Sequence, residues 1–594
     1  MANITIKPAG KVGIFLILVL IGLSVGYFAY LRPMQAAKAA AEAAPKTQTI
    51  VVVDASGKPV INATTGQPET KVVPIANTNA AAPNAPVNAG ADKDACGGAG
   101  QRPCKIALSQ WPGHSAGILA CGGLTTQPGS FCSTVTSVIN PQAPAGVNLE
   151  FIFIEEPDKK NAALQSGEAD AIWSTTDELP INLPGFAKAQ IDVASFVQID
   201  YSRGGDACIA IGSVKTPRDL LTHKGAVLKY SPDHTVLEFF LNNGDLTPAE
   251  LVKARANISY SMDDYTYARN LFCQGKIDVA CLWEPDVSLA LACRKDEKPY
   301  RMFSTKEADT LVADNLIARN SFLNNHPDVA EKIARVFLKG AAIGTADKAA
   351  AAKLISTVEP RFRDELKYDA TLASLDWVRW NDLGDNVAYF GVDGTPPKFD
   401  AIYKQADTIW SEYKEPNGEE ALAQRFSPTK FRNGTFIKAI YESEKKVRAD
   451  VAQATGKAAA PIEAEKPVYK PEEIAAAAPV LKKAITINFD TGSTELDIGA
   501  RAVLKAQVMT QVGLVQALGI RVEGNTDDTG NAAKNKVLSK KRADAVVAFL
   551  VSQGLDASRA VSQGNGPDSP TCNAKTPDCR AANRRTDIVF VTGN

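Results

Sequence analysis

Apolar and polar positions divide this chain into four regimes. Residues 12–31 (VGIFLILVLIGLSVGYFAYL) are twenty consecutive uncharged positions, about 30 Å as a helix and long enough to span a bilayer. From 32 to about 95 the chain is Ala, Pro, Asn and Thr with few large apolar residues, so it cannot bury a core and reads as a flexible tether. Within it, TIVVVDASGKPV at 49–60 suggests a short strand and turn. Between about 100 and 450 short apolar runs alternate with helical periodicity. Strands are expected at 105–109, 148–154, 169–174, 208–212, 225–230, 257–262 and 277–283, with helices such as 264–274 and 327–339 between them. Such alternation predicts parallel sheets with right-handed crossovers. After a second hinge at about 452–479, Ile485, Ile487 and Phe489 alternate as a half-buried strand. A helix from 498, a strand at 520–524, a long helix at 531–553 and strands at 559–563 and 586–591 follow. This β-α-β-α-β-β order builds a small α+β sandwich.

The chain has 594 residues, 45% hydrophobic and 22% charged, with Lys+Arg 65 against Asp+Glu 66. The balance excludes a globally basic nucleic-acid binder. Four histidines are scattered, no phosphate-cradling glycine loop occurs, and the GLSVG at 22–26 lies inside the apolar span, so no enzyme, cofactor or metal site is expected. A secretory signal peptide competes with a retained anchor at 12–31, and its removal would leave a soluble periplasmic chain. The span carries no Asp or Glu, which disfavours a proton-driven stator. None of the ten cysteines forms a Cys-x-x-Cys unit, and an even count beyond an export segment points to disulfides in an oxidising space. Cys96–Cys104, Cys121–Cys132 and Cys572–Cys579 are short candidate loops. The pairing of Cys208, Cys273, Cys281 and Cys293 stays open, and Cys281 in an apolar strand also fits a buried thiol.

LQSGEADAIW (164–173) and FCQGKIDVACLW (272–283) share one plan: a helix closed by glycine, an Asp opening a strand, and a Trp near its carboxyl end. Ligands of open α/β sheets bind beyond those carboxyl ends, so Thr175, Thr176 and Glu284 become candidate contacts. Ser231, His234 and Thr235 open a helix and could offer hydroxyls and amides to an anion. An ordinary N-cap explains them equally. Trp111 and Trp283 could wall a cleft, with core packing as the competing reading; His114, near Trp111, could face the cleft, with an exposed loop histidine as the preferred reading. No arginine occupies these loops, so a small polar or weakly anionic solute fits better than a strongly charged anion. Together with SQWPG (109–113), YSPDHT (230–235), VACLWEPDVS (279–288) and NSFLNNHP (320–327), the order of these pieces resembles the periplasmic solute-binding proteins of ABC importers, nitrate/sulfonate/taurine type. The resemblance covers about 340 residues and implies two α/β lobes closing on a small ligand.

The small block carries INFD (487–490), VEGNTDDTG (522–530), NKVLSKKRA (535–543), GNG (564–566) and NRR (583–585). These closely resemble the OmpA-like peptidoglycan-binding domain, with Asn525 where the turn often carries His. The diaminopimelate stem peptide presents an ammonium and a carboxylate. Asp527 can accept from the first, and Arg542 can hold the second with two parallel hydrogen bonds. The resemblance implies these roles, with Asn535 and Asp490 as further contacts and Leu538 one helical turn before Arg542. A structural Asp–Arg ion pair is the competing reading, and Arg585 could instead tie down the terminal strand.

The expected architecture is an α/β bilobed periplasmic-binding-protein fold plus a small α+β OmpA-like sandwich, with an N-terminal transmembrane helix. The expected boundaries are a cytoplasmic 1–11, a span at 12–31, a linker at 32–98, a solute-binding domain at 99–450, a linker at 451–480 and a wall domain at 481–594. The expected protein is anchored in the inner membrane of a Gram-negative-type cell, binds peptidoglycan and captures a solute for an ABC permease. A structural or sensory link between wall and membrane is the alternative.

Overall fold

The computed structural model describes residues 47–51, 70–74, 94–413 except 99 and 245, 426–455, 462, and most of 469–592. The expected span 12–31 lies outside them. Among the described residues no helix is long and apolar enough to cross a membrane. The chain divides into two compact units, residues 1–91 and 92–594. In the first, strand β1 (Thr47–Val51) pairs antiparallel with β2 (Thr70–Pro74), so the expected tether contains an ordered ladder.

The second unit holds two α/β lobes and the small sandwich. The first lobe is built on β3 (Cys104–Leu108), β4 (Leu149–Phe153), β5 (Ala171–Thr175) and β6 (Val193–Ser202). The chain then crosses to β7 (Asp206–Ala210), β8 (Gly225–Leu228), β9 (Ile258–Ser261), β10 (Val279–Trp283) and β11 (Tyr300–Ser304) of the second lobe. It returns through β12 (Ala313–Arg319) and β13 (Val378–Trp380). The sheet orders are β13-β6-β12-β5-β3-β4 and β11-β7-β10-β8-β9. Parallel pairing holds for β4-β3-β5 and β10-β8-β9, as the strand–helix alternation predicts. The strands at the lobe crossings, β6, β7, β11 and β12, run antiparallel to their neighbours, so both sheets are mixed.

The two crossings are laced together. The Ser202 and Thr305 hydroxyls lie 2.7 Å apart, and the Gly204 amide donates to Thr305 Oγ1 at 2.8 Å. The Thr305 amide donates to the Asp206 carbonyl at 2.9 Å. A third link is the helix Lys398–Glu412, which brings Trp410 to 5.8 Å from Tyr230 in the second lobe while its indole donates to the Asp177 carbonyl in the first.

Both expected domain edges move outward. Asp94 pairs with Arg319 at 2.8 Å and Cys96 bonds Cys104, so residues assigned to the first linker belong to the first lobe. Tyr469 and the helix Pro471–Ala476 belong to the sandwich: Ile474 is fully buried with Val589 and Val591. The sandwich strands are β14 (Pro479–Ile485), β15 (Leu518–Asn525), β16 (Ala560–Gly566) and β17 (Thr586–Thr592), ordered β14-β17-β15-β16. Its first strand thus begins earlier than expected and ends on Ile485, the first of the alternating residues. The helix Ala532–Ser552 packs across β15 and β16. Gly524 and Gly564 lie under it, because a Cβ there would sit 2.2 Å from Ser539 O and 2.6 Å from Lys536 O.

All ten cysteines are paired. The three short loops form as expected, Cys273 bonds Cys293, and Cys208 bonds Cys281. Cys281 is therefore no buried thiol. It faces Cys208 directly across β7 and β10, Cα atoms 3.9 Å apart. That bond closes a separation of 73 residues, for which the chain-entropy model gives about 4 kcal/mol. Replacing both Cys208 and Cys281 with Ser should lower unfolding stability by roughly 2–4 kcal/mol, read from the shift in denaturant midpoint.

Candidate functional site

A cavity lies where the two lobes meet, lined by Trp111, Trp173 and Trp283 with Thr175, Asp206 and Asp314. It leaves about 20 Å³ of free volume, room for about one water molecule. The two sheets supply its polar walls. Asp314 on β12 sits opposite Asp200 on β6 and Thr175 on β5, and cross-strand partners share a face. In the second lobe Asp206 on β7 sits opposite Trp283 on β10. Like charges directly opposite are unfavourable in a sheet, yet Asp200 and Asp314 are both buried.

Partial compensation comes from neighbours. The Trp111 indole donates to Asp200 Oδ1 at 3.0 Å. His114 Nε2 lies 2.9 Å from Asp314 Oδ1, while the Ser109 amide reaches His114 Nδ1 at 3.2 Å. The Ser109 carbonyl lies 3.3 Å from the same Nδ1, so Ser109 can serve either neutral tautomer of the ring. His114 is thus buried in the cleft, and the expectation of an exposed loop histidine is corrected. Lys160 lies 3.4 Å from the Trp173 ring centroid and pairs with Glu178. Burial raises Asp314 and Asp200 well above the usual carboxylate range, and their neighbouring carboxylates add to it. Asp206 is pushed up to about 6, first by burial.

The sequence-named contacts separate into two groups. Trp111, Thr175 and Trp283 line the cavity. Thr176 turns to the Tyr389 hydroxyl and Asn315. Ser231 is an N-cap: its hydroxyl donates to the Leu228 carbonyl at 2.8 Å and accepts from the His234 amide at 3.3 Å. His234 accepts the Tyr230 amide at 3.1 Å, and its ring sits 4.9 Å from Trp410 and 5.2 Å from Tyr413. Those aromatic partners lie far along the chain, so His234 is packed away from the cavity. Thr235 faces Asp177. Glu284 is held by Arg301 and by the Ser288 hydroxyl at 2.8 Å. Asp206, Asp200 and Asp314 were not singled out as contacts, since only the register of β6, β7 and β12 brings them together. Trp173 stood in a quoted motif, at the end of its strand. The fold also gathers ligand-capable atoms of His114, Asp200 and Asp314 within 4.8 Å of one another, a cluster that sequence spacing does not show.

In the sandwich, Asp527 follows β15 and Arg542 lies on the facing helix. Asp527 Oδ2 accepts from Arg584 at 2.8 Å, and Oδ1 accepts from the Thr529 amide at 3.0 Å and from its hydroxyl. Burial pushes the Asp527 carboxyl up, but the Thr529 and Arg584 hydrogen bonds hold it below its ordinary value. Arg542 donates to the Ser493 carbonyl at 3.1 Å and lies 4.9 Å from the Phe489 ring centroid. Its proton is loosened first by burial, then by Arg584, with Asp527 opposing. One carboxylate and two guanidiniums thus share a locus, and Asp527 forms its ion pair with Arg584. Asn535 donates to the Thr529 carbonyl at 2.7 Å, fixing the loop that carries Asp527. Leu538 is half-buried on the same helix. Asp490 lies outside the described residues. Arg585 is buried and pairs with Asp587 at 2.9 Å, which ties down β17.

Two α/β lobes joined by paired crossings, with an aromatic and acidic cavity between them, define a bilobed α/β fold carrying a second α+β domain. Residues 488–584 match the OmpA family, and through this C-terminal domain the chain belongs to that family. It is 38% identical over 128 residues to outer membrane protein A of Bordetella avium, covering 22% of this chain and 64% of that one. It is 31% identical over 121 residues to the peptidoglycan-associated lipoprotein of Rhizobium meliloti (strain 1021), covering 19% and 68%. The chain thus spans less than two thirds of the first relative's length. For the lobes, the periplasmic aliphatic sulphonate binding protein of Escherichia coli aligns at 16% identity and a TM-score of 0.38, over 52% of this chain and 91% of that one.

Two opposing pH dependences follow from the burial. His114 and His234 are lowered to about 4 and about 3, chiefly by burial. The unfolded chain takes up protons at both below about 6.5, so their contribution is full above that pH and drains as pH falls. Asp177 and Glu359 are raised to about 8, chiefly by burial. Their contribution is full below the unfolded carboxylate values and is lost as pH rises toward 8. Between about pH 6.5 and 8 these carboxylates dominate, so the unliganded protein should melt at progressively lower temperature. Asp177→Asn should flatten that slope, by up to about 1.4 kcal/mol per pH unit, in thermal unfolding at pH 6.5, 7.25 and 8.

Proposed function

We infer that this is a cell-envelope receptor whose two lobes capture a small solute while its C-terminal domain grips peptidoglycan without a covalent bond. The observation that carries the wall-binding half is the convergence of Asp527 with Arg542 and Arg584 in a domain of the OmpA family. A zwitterionic diaminopimelate end needs one fixed acceptor and one fixed donor fork, and this locus offers both. Arg584 holds the Asp527 carboxylate while no ammonium is present. An incoming ammonium would then replace that contact and leave two guanidiniums for the carboxylate. Asn535 and Leu538 border the same locus in this reading, and Asp490 is carried over as a further contact from the sequence resemblance alone.

The solute-binding half rests on the cavity between the lobes and on the paired crossings, which permit the lobes to part about one line. Trp111, Thr175 and Trp283 serve as its walls. Delivery to an ABC permease and anchoring in the inner membrane through 12–31 complete the reading, and the five disulfides fit an oxidising periplasm. A structural or sensory coupling of wall to membrane is the second reading, favoured by the joining of both modules in one chain.

Retention on purified sacculi tests the wall-binding half. Asp527→Ala and Arg542→Ala should each weaken retention about tenfold or more, the value of one charge-assisted hydrogen bond. Retention equal to the parent in both variants would remove the assignment.

A further inference from the structure

The sequence points to a polar or weakly anionic solute, but the cavity is built for the opposite charge. Its lining holds Asp206 and Asp314 and, among the described residues, neither Lys nor Arg. Asp200 stands directly behind Asp314 in the ladder. Lys160, beside the Trp173 ring, is committed to Glu178 and to that ring. Burial holds Asp200 and Asp314 toward their protonated forms; an anion here would oppose their ionisation further, whereas a cation beside them would favour the charged carboxylates.

Two further features narrow the ligand. Three indoles line so small a space, and a cation between indole faces gains from their quadrupoles, most when water is excluded. Trp283, itself only 7% exposed, leaves its Nε1 without a hydrogen-bond acceptor. A buried unpaired donor is costly, and a ligand oxygen would satisfy it.

We propose, on the basis of the receptor reading above, that the cleft takes a small organic ammonium bearing one acceptor oxygen, its cationic end between Asp206 and Asp314, its carbons against Trp111 and Trp173, and its oxygen toward Trp283 Nε1. The free volume admits little more than a water molecule, so the lobes must part for entry and close again around the ligand.

Calorimetric titration and thermal unfolding of the full chain test this with choline, ethanolamine, taurine, methanesulfonate and zinc chloride. Saturable binding of choline or ethanolamine with a melting point raised by several degrees is expected, and no response to methanesulfonate. Asp206→Asn and Trp283→Phe should each weaken amine binding at least tenfold. Sacculus retention and far-ultraviolet circular dichroism equal to the parent would show that these variants are folded. Binding of taurine or methanesulfonate without the amines would overturn the cationic class and leave the receptor reading standing. Zinc binding that excludes the amines would overturn it in favour of a metal at His114, Asp200 and Asp314. Silence toward every probe would overturn the proposal and withdraw support from solute capture as well. Amine binding unchanged in both variants would overturn the placement.

Discussion

Buried aspartates facing one another across adjoining strands are the constraint around which the large block is organised. A sheet pays for such a pair in stability, because two ionised carboxylates in a water-poor site repel and neither is solvated. Here Asp200 and Asp314 are aligned by the pairing of β6 with β12, and Asp206 approaches from the other lobe. The Trp111 indole and the His114 ring each take one carboxylate oxygen, yet the group stays proton-hungry. The indoles, the closed cleft and the laced crossings all bear on the same point. They keep water from a cluster that would otherwise be hydrated and unremarkable.

The wall-binding domain handles charge differently. Asp527 is near the surface, served by Thr529 and Arg584, and held ionised. Its loop is pinned by Asn535 from the start of the long helix, the helix that also carries Arg542. Donor and acceptor therefore sit on adjacent elements whose spacing is set by close packing over Gly524 and Gly564. The cleft encloses like-signed groups away from water, whereas this locus carries balanced charge near the surface.

Legibility from sequence followed the range of the interactions involved. The glycine-closed helix, the Asp and the strand-end Trp recur locally, so both lobes and Trp283 could be found, and Trp111 stands in the SQWPG motif just past the first strand. The short cysteine loops were visible for the same reason. Val193–Ser202 was missed as a strand: it is buried along its whole length, and Gln198, Asp200 and Ser202 interrupt its apolar run. The acidic row could not be seen, since Asp200, Asp206 and Asp314 become neighbours only through register. His234 misled because an N-cap followed by a histidine looks like an anion site. The partners that claim its ring, Trp410 and Tyr413, come from a helix about 175 residues away. In the sandwich the motif residues were local and found, but Arg584 gained its place opposite Asp527 only through the fold.

Gly205 lies in the crossing between β6 and β7, and a Cβ there would stand 2.1 Å from the Trp111 ring. The indole therefore occupies space that any other residue would fill. The position that lets the chain pass between lobes is the same one that sets how deep the cavity wall can recede. The inter-lobe crossing and this cavity wall share one piece of backbone, so a side chain at Gly205 would displace the Trp111 indole and disturb the crossing together.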